Sequence, residues 1–129
     1  MDGSAPYVFG FRKSEANNAT YGSYTDYCGI GMNAATSPTK VLLYDELNGG
    51  GVTITNTTDD WGGDGTTNTL QVLVSAAGAV TYTINGAAPS VGHAFTFDNA
   101  DVVVPLIHLV HSASPGAVNI VSMKIGYQA

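Results

Sequence analysis

The side chains best suited to binding a ligand lie in one segment rich in Asp and Gly, residues 59–65. Asp59, Asp60 and Asp64 could supply hard oxygen ligands to Ca²⁺, although their spacing matches no established calcium loop. A polar loop without an ion is the simpler interpretation, because Asp and Gly are also the residues that turns require. Trp61, together with Asp60 and Asp64, could instead bind a sugar by stacking. The other interpretation of Trp61 is an anchor that holds the loop on the core.

Catalytic groups are harder to assemble from this chain. Glycosidases built on β-sandwiches need two carboxylates across a cleft, and the only glutamates, Glu15 and Glu46, form no paired motif. His108 and His111 would point to opposite faces of a strand, so they could not share a metal ion without a bulge. Cys28 is interpreted as a small buried hydrophobic residue. We therefore expect that the protein is not an enzyme and that it binds no cofactor.

Length and composition limit the class of protein. The 129 residues predict a single domain, residues 1–129, with residues 1–6 as an extended N-terminal arm. The net charge of −6 and four scattered basic residues argue against nucleic acid and against acidic membrane surfaces as partners. Only 11% of residues are charged, and the abundant Thr, Ser, Asn and Gly favour strands and turns over helices. A single cysteine excludes an intrachain disulfide, and the absence of a visible signal peptide favours synthesis in the cytoplasm.

Period-two alternation of apolar residues predicts an all-β antiparallel sandwich of about nine short strands. The clearest pattern is a hairpin, in which Gly78 can supply the positive φ that a short loop requires. The predicted strands are residues 7–13, 24–32, 40–47, 52–56, 69–74, 79–84, 94–97, 102–110 and 118–127.

Three stretches resemble the concanavalin A-like (laminin-G-like) jelly-roll family. Residues 61–86 are similar to a recurrent hairpin of that family, in which a Trp precedes an alternating strand, a turn with Gly follows, and the next strand ends in Asp-Gly or Asn-Gly. Residues 8–12, Val-Phe-Gly-Phe-Arg, resemble another of its strands. Residues 95–111 are similar to domains in structural proteins of tailed bacteriophages. The resemblance implies a jelly-roll sandwich.

The same resemblance implies a virion component, namely a capsid decoration (cement) protein that is made in the host cytoplasm and binds the major capsid protein or other virion proteins at the capsid surface. The alternative is a carbohydrate-binding or receptor-binding, lectin-like domain of a phage tail or fibre protein. Such sandwiches usually begin with one or two further strands, so the first strand here would lie at an open edge that a homo-oligomer could cover. The candidate contact residues are Tyr7, Phe9, Phe11, Tyr21 and Tyr24, whose spacing is equally compatible with a place in the core.

Overall fold

Nearly all regular secondary structure in the described residues is β-strand, as predicted. The computed structural model describes residues 7–33, 35–63, 65–109 and 120–126, and within them it shows seven strands and one short 3-10 turn. The strands are β1 (Tyr7–Lys13), β2 (Tyr27–Asn33), β3 (Ser37–Glu46), β4 (Thr53–Asp60), β5 (Leu70–Val74), β6 (Val80–Ile84) and β7 (Val103–Leu109), and the 3-10 turn is Tyr21–Ser23.

The strands form two antiparallel sheets. The larger sheet has the order β4-β3-β2-β1-β7, and the smaller one is the hairpin β5-β6. The hairpin packs on the larger sheet, with β5 against β1 and β2. This arrangement confirms the predicted antiparallel sandwich of two layers. The jelly-roll topology stays a prediction, since five strands packed against two do not reproduce the paired four-stranded sheets of a jelly roll.

Two of the nine predicted strands are not strands in the structure. Residues 94–97 contribute a single bridge, between Ala79 and Thr96, because the two backbone hydrogen bonds of that bridge are the only ones that tie this segment to the hairpin among the described residues. Residues 120–126 are the described part of the predicted strand 118–127, and they form no strand. Alternation therefore predicted seven strands correctly and failed where the segment has no continuous partner.

The first core fills the space between the two sheets. Its aromatic members include Tyr7 and Trp61, whose rings meet edge to face with centroids 5.5 Å apart. Burying each large apolar side chain of this kind contributes about 1.5–3 kcal/mol. The buried members are Tyr7, Cys28, Ile30, Met32, Val41, Leu43, Trp61, Val80, Tyr82, Ile84, Phe95 and Phe97.

A second core lies on the other face of the larger sheet. The 3-10 turn places the ring of Tyr21 against the edges or faces of Tyr27, Tyr44 and His108, at centroid distances of 6.1, 5.3 and 5.7 Å. The central strands of the larger sheet are therefore buried on both faces, which explains why β2 and the second half of β3 are continuously buried, whereas the outer strands β4 and β7 are more exposed. The buried members are Val8, Tyr24, Tyr27, Leu42, Tyr44 and Leu106.

Glycines allow β1 and β2 to approach each other closely. A methyl group added at Gly10 would overlap the carbonyl oxygen of Cys28, and one added at Gly31 would overlap the carbonyl oxygen of Tyr7. No other residue type fits at these two positions without moving a neighbouring backbone. The glycines that weaken the strand pattern of β2 in the sequence are thus part of how this strand pairs.

A bulge in β4 shapes the end of that strand. Lys40 pairs with Asp60 and Leu42 pairs with Asn56, so residues 57–59 stand opposite Val41 alone. Thr58 has a φ of 66°, which is unusual for a β-branched residue. The hydroxyl of buried Thr57 donates a hydrogen bond of 2.8 Å to the Val41 carbonyl and replaces part of the interrupted ladder.

Candidate interaction surface

The bulge gives the two described acids of the Asp-rich segment separate partners. Asp59 accepts hydrogen bonds from the hydroxyl and the backbone N–H of Ser90, at 2.6 and 2.9 Å, and these bonds hold the pKa of Asp59 below its ordinary value. Asp60 forms an ion pair of 2.6 Å with Lys40. Asp64 lies outside the described residues. The calcium loop therefore stays a prediction, and both of its described carboxylates already have partners.

Trp61 lies in the core rather than on the surface. Its side chain is packed against Tyr7, and the residue is only 8% exposed. Its backbone N–H donates to the Thr39 carbonyl at 2.7 Å, and its own carbonyl accepts a 2.7 Å hydrogen bond from the Asn68 side chain. This conformation has no free ring face on which a sugar could stack, so the anchoring interpretation of Trp61 fits the structure.

The five residues predicted as contact residues are buried or half-buried. Tyr7 and Tyr24 belong to the two cores, Phe9 and Phe11 pack on the first core, and Tyr21 packs on the second. The reason is that β1 lies between β2 and β7 and is not an edge strand. The prediction that the first strand lies at an open edge is therefore wrong, because the outer strands of the larger sheet are β4 and β7.

The fold assembles a cluster of three acids that sequence spacing alone does not reveal. Asp26, Asp98 and Asp101 bring carboxylate oxygens within 4.8 Å of one another. The Lys13 ammonium lies 2.8 Å from Asp101 and 3.5 Å from Asp26, so a cation of the protein already offsets part of this charge. Burial alone would raise the pKa of Asp26, but hydrogen bonds, first among them the one from the Asn48 N–H, and the Lys13 charge lower it. We assign the cluster a structural role that ties β1 to two loops.

A histidine and an aspartate also meet unexpectedly. His93 Nδ1 lies 2.8 Å from Asp45 Oδ1, and burial raises the pKa of Asp45 although His93 partly offsets this effect. Such a pair could orient an imidazole, but a catalytic triad also needs a nucleophile at the other ring nitrogen. No hydroxyl or thiol of the described residues is hydrogen-bonded to His93.

The other residues considered for chemistry serve the fold. Cys28 is fully buried, and burial raises the pKa of its thiol to about 12, which keeps it protonated and unreactive. Glu15 accepts a 2.9 Å hydrogen bond from the Thr25 N–H, and Glu46 accepts a 3.2 Å bond from the Gly51 N–H. Each glutamate thus holds a loop. His111 lies outside the described residues.

Exposed apolar side chains concentrate in the last part of the chain. Of the eleven large apolar residues that the structure shows as exposed, seven lie between residues 102 and 125. We call residues 120–126 the C-terminal apolar segment. No backbone hydrogen bond joins it to another described residue. The seven exposed residues are Val102, Ile107, Leu109, Ile120, Val121, Met123 and Ile125.

Known proteins offer no guide to this surface. A scan against protein-family models and searches of the curated proteins and of the solved structures found no match for this chain. Across the described ranges, the structure contains no helix with the length and apolar character needed to cross a bilayer. The feature of the described residues that most suggests a partner is the set of exposed apolar side chains in β7 and in the C-terminal apolar segment.

Proposed function

We propose that this protein is a non-enzymatic structural component of a virion, a capsid decoration protein that binds the capsid surface as a homo-oligomer. The observation that carries the proposal is the concentration of exposed apolar side chains in β7 and the C-terminal apolar segment. Large apolar surface on a soluble domain usually marks a site that another molecule covers. A docking role explains this surface better than a catalytic role does.

The construction of the domain supports a mechanical role. The central strands of the larger sheet are buried on both faces, and the two cores pack on them from opposite sides. A sheet packed in this way is stiff, because protein interiors are close-packed and resist deformation. Many stiff copies on a symmetric shell gain avidity even when each single contact is weak.

The likeness of residues 95–111 to phage structural proteins favours a capsid as the partner. These residues include β7, the strand that carries part of the exposed apolar surface. The alternative sugar-binding function rested on Trp61, whose ring is buried. The observations therefore favour a protein partner.

Co-sedimentation with capsids tests this proposal. The purified chain is added to capsids of the phage that encodes it, prepared without the chain, and the bound fraction is measured against concentration. We expect saturable binding at a fixed number of copies per capsid and greater capsid resistance to heat. A triple variant, Val121→Ser, Met123→Ser and Ile125→Ser, should bind at least tenfold more weakly, which corresponds to about 1.4 kcal/mol.

Val91→Ser is the control variant. Val91→Ser changes an apolar residue of 43% exposure that lies away from this surface, and it should bind as the parent does. Failure to bind capsids at any concentration would overturn the proposal. So would saturable glycan binding that Trp61→Ala abolishes.

A further inference from the structure

We infer that the C-terminal apolar segment of one copy adds as a strand to the outer edge of β7 in a second copy. This inference rests on the proposed function, because it names the contact that would join assembled copies. Addition of an extended segment to a sheet edge satisfies main-chain hydrogen bonds and places alternate side chains in contact with the recipient sheet.

The segment has the properties of a strand that lacks its partner. Val121, Met123 and Ile125 alternate along the chain and are 79%, 50% and 55% exposed. The peptide groups of residues 120–126 make no backbone hydrogen bond to other described residues. Alternate residues of a strand lie on one face, so pairing would bury these three side chains together.

The outer edge of β7 has matching properties. Among the residues that the structure describes, β7 pairs only with β1 and its other side has no partner; its Ile107 and Leu109 are 42% and 55% exposed. Pro105 has no N–H to donate, and prolines in sheets are found with that side facing away from the ladder. Residues two apart direct their peptide groups to the same side, so Ile107 and Leu109 direct theirs outward as Pro105 does. The last part of β7 therefore offers free peptide groups beside exposed apolar side chains.

The other edges are less suitable. The outer edge of β4 carries the bulge at Thr58 and ends in Asp59 and Asp60, features that protect edges against pairing. The outer edge of β6 is partly occupied by the bridge between Ala79 and Thr96. β5 has only five residues, whereas β7 and the C-terminal apolar segment have seven each, or about 23 Å of strand.

Chain length favours pairing between copies. Ten residues, 110–119, separate the end of β7 from the segment. A hairpin onto the same β7 would need a loop of only about two to five residues, and the structure shows no such pairing within one chain. Ten residues can span about 35 Å when extended, which is enough to reach the β7 edge of a neighbouring copy.

A cysteine exchange experiment tests this contact directly. One preparation carries Ile107→Cys, a second carries Met123→Cys, and both keep buried Cys28. After mixing and mild oxidation, we expect a disulfide-linked pair that contains one chain of each kind, at least fivefold more abundant than the pair formed with Val91→Cys in place of Met123→Cys. Val121→Cys and Ile125→Cys, tested in the same way, cover the neighbouring registers. Equal yields with Val91→Cys and with all three segment variants would overturn the inference.

Native mass at several concentrations provides the second measurement. The parent chain should be oligomeric, and the double variant Ser122→Pro, Met123→Pro should be monomeric with an unchanged urea midpoint, because adjacent residues direct their peptide groups to opposite sides and one of the two prolines must lack the N–H that faces β7. An unchanged oligomer in this double variant, or a monomeric parent, would refute the contact. If such a monomer still binds capsids, only this inference fails. If the oligomer forms as expected but no capsid is bound, only the proposed function fails.

Discussion

Replacing Gly31 by Ala should destabilise the protein strongly, because the added methyl group has no space. It would overlap the Tyr7 carbonyl oxygen and lie 2.9 Å from the Tyr7 carbonyl carbon and 3.1 Å from the Val8 Cα. All three are backbone atoms of β1, which β7 holds on its other side. Overpacking a core usually costs about 1–3 kcal/mol. The clash here is with backbone that cannot turn away, so we expect the upper end, about 3 kcal/mol.

Urea unfolding followed by circular dichroism measures this loss. With a slope of about 1.5 kcal/mol per molar urea, a loss of about 3 kcal/mol lowers the midpoint by about 2 M. Gly10→Ala should behave similarly, since its methyl group would overlap the Cys28 carbonyl oxygen. Gly92→Ala is the matched control, because no atom lies within 4 Å of the added carbon. A midpoint for Gly31→Ala within about 0.3 M of that control would refute the close approach of β1 and β2.

Three further predictions concern buried polar groups. Thr57→Val keeps the side-chain shape but leaves the Val41 carbonyl without its donor, so it should cost about 1–3 kcal/mol in urea unfolding; a neutral result would contradict the role of the bulge. Burial lowers the pKa of His108 below 6.5, so the neutral imidazole contributes fully to stability above pH 6.5, and this contribution is lost as pH falls through the lowered pKa. His108→Gln should therefore flatten the decline in the unfolding midpoint between pH 7 and 5. A decline identical to that of the parent would contradict this prediction. The pKa of Asp26 is lowered from 3.8, so the advantage of the parent over Asp26→Asn in unfolding free energy should be present at pH 7 and shrink as pH falls below 3.8; a constant difference would be inconsistent with an ionised Asp26.

Local sequence patterns predicted the strands, but they could not predict which strands distant in the sequence pair with each other. The hairpin β5-β6 could be predicted because its alternation and Gly78, with a φ of 81°, are neighbours in the sequence. The place of β1 inside the sheet could not, because it depends on β7, about 100 residues later. Burial of both faces of the larger sheet was also hidden, since tyrosines such as Tyr44 fit a core and a surface equally well.

In the candidate sites too, sequence patterns identified single residues but not their partners in the folded chain. Trp61 was recognised as a notable residue, but only its contact with Tyr7 shows that it anchors the core. The cluster of three acids could not be found from spacing, because Asp26 and Asp98 are far apart in sequence and meet only in the folded chain. Alternation in residues 118–127 predicted a strand, but the described residues 120–126 form none, because propensity cannot supply a partner within the same chain.

The pairing of Tyr7 with Leu109 has a consequence for the newly made protein. While a ribosome synthesises the chain at about 5–20 residues per second, β1 waits several seconds for its second neighbour. During that interval the meander from β1 to β4 can form, but one side of β1 remains open to other nascent chains. Folding should therefore be completed late and in one cooperative step, once β7 has left the ribosomal exit tunnel. High expression rates, which bring unfinished chains together, should lower the soluble yield more than they would for a protein whose N-terminal strand is completed locally.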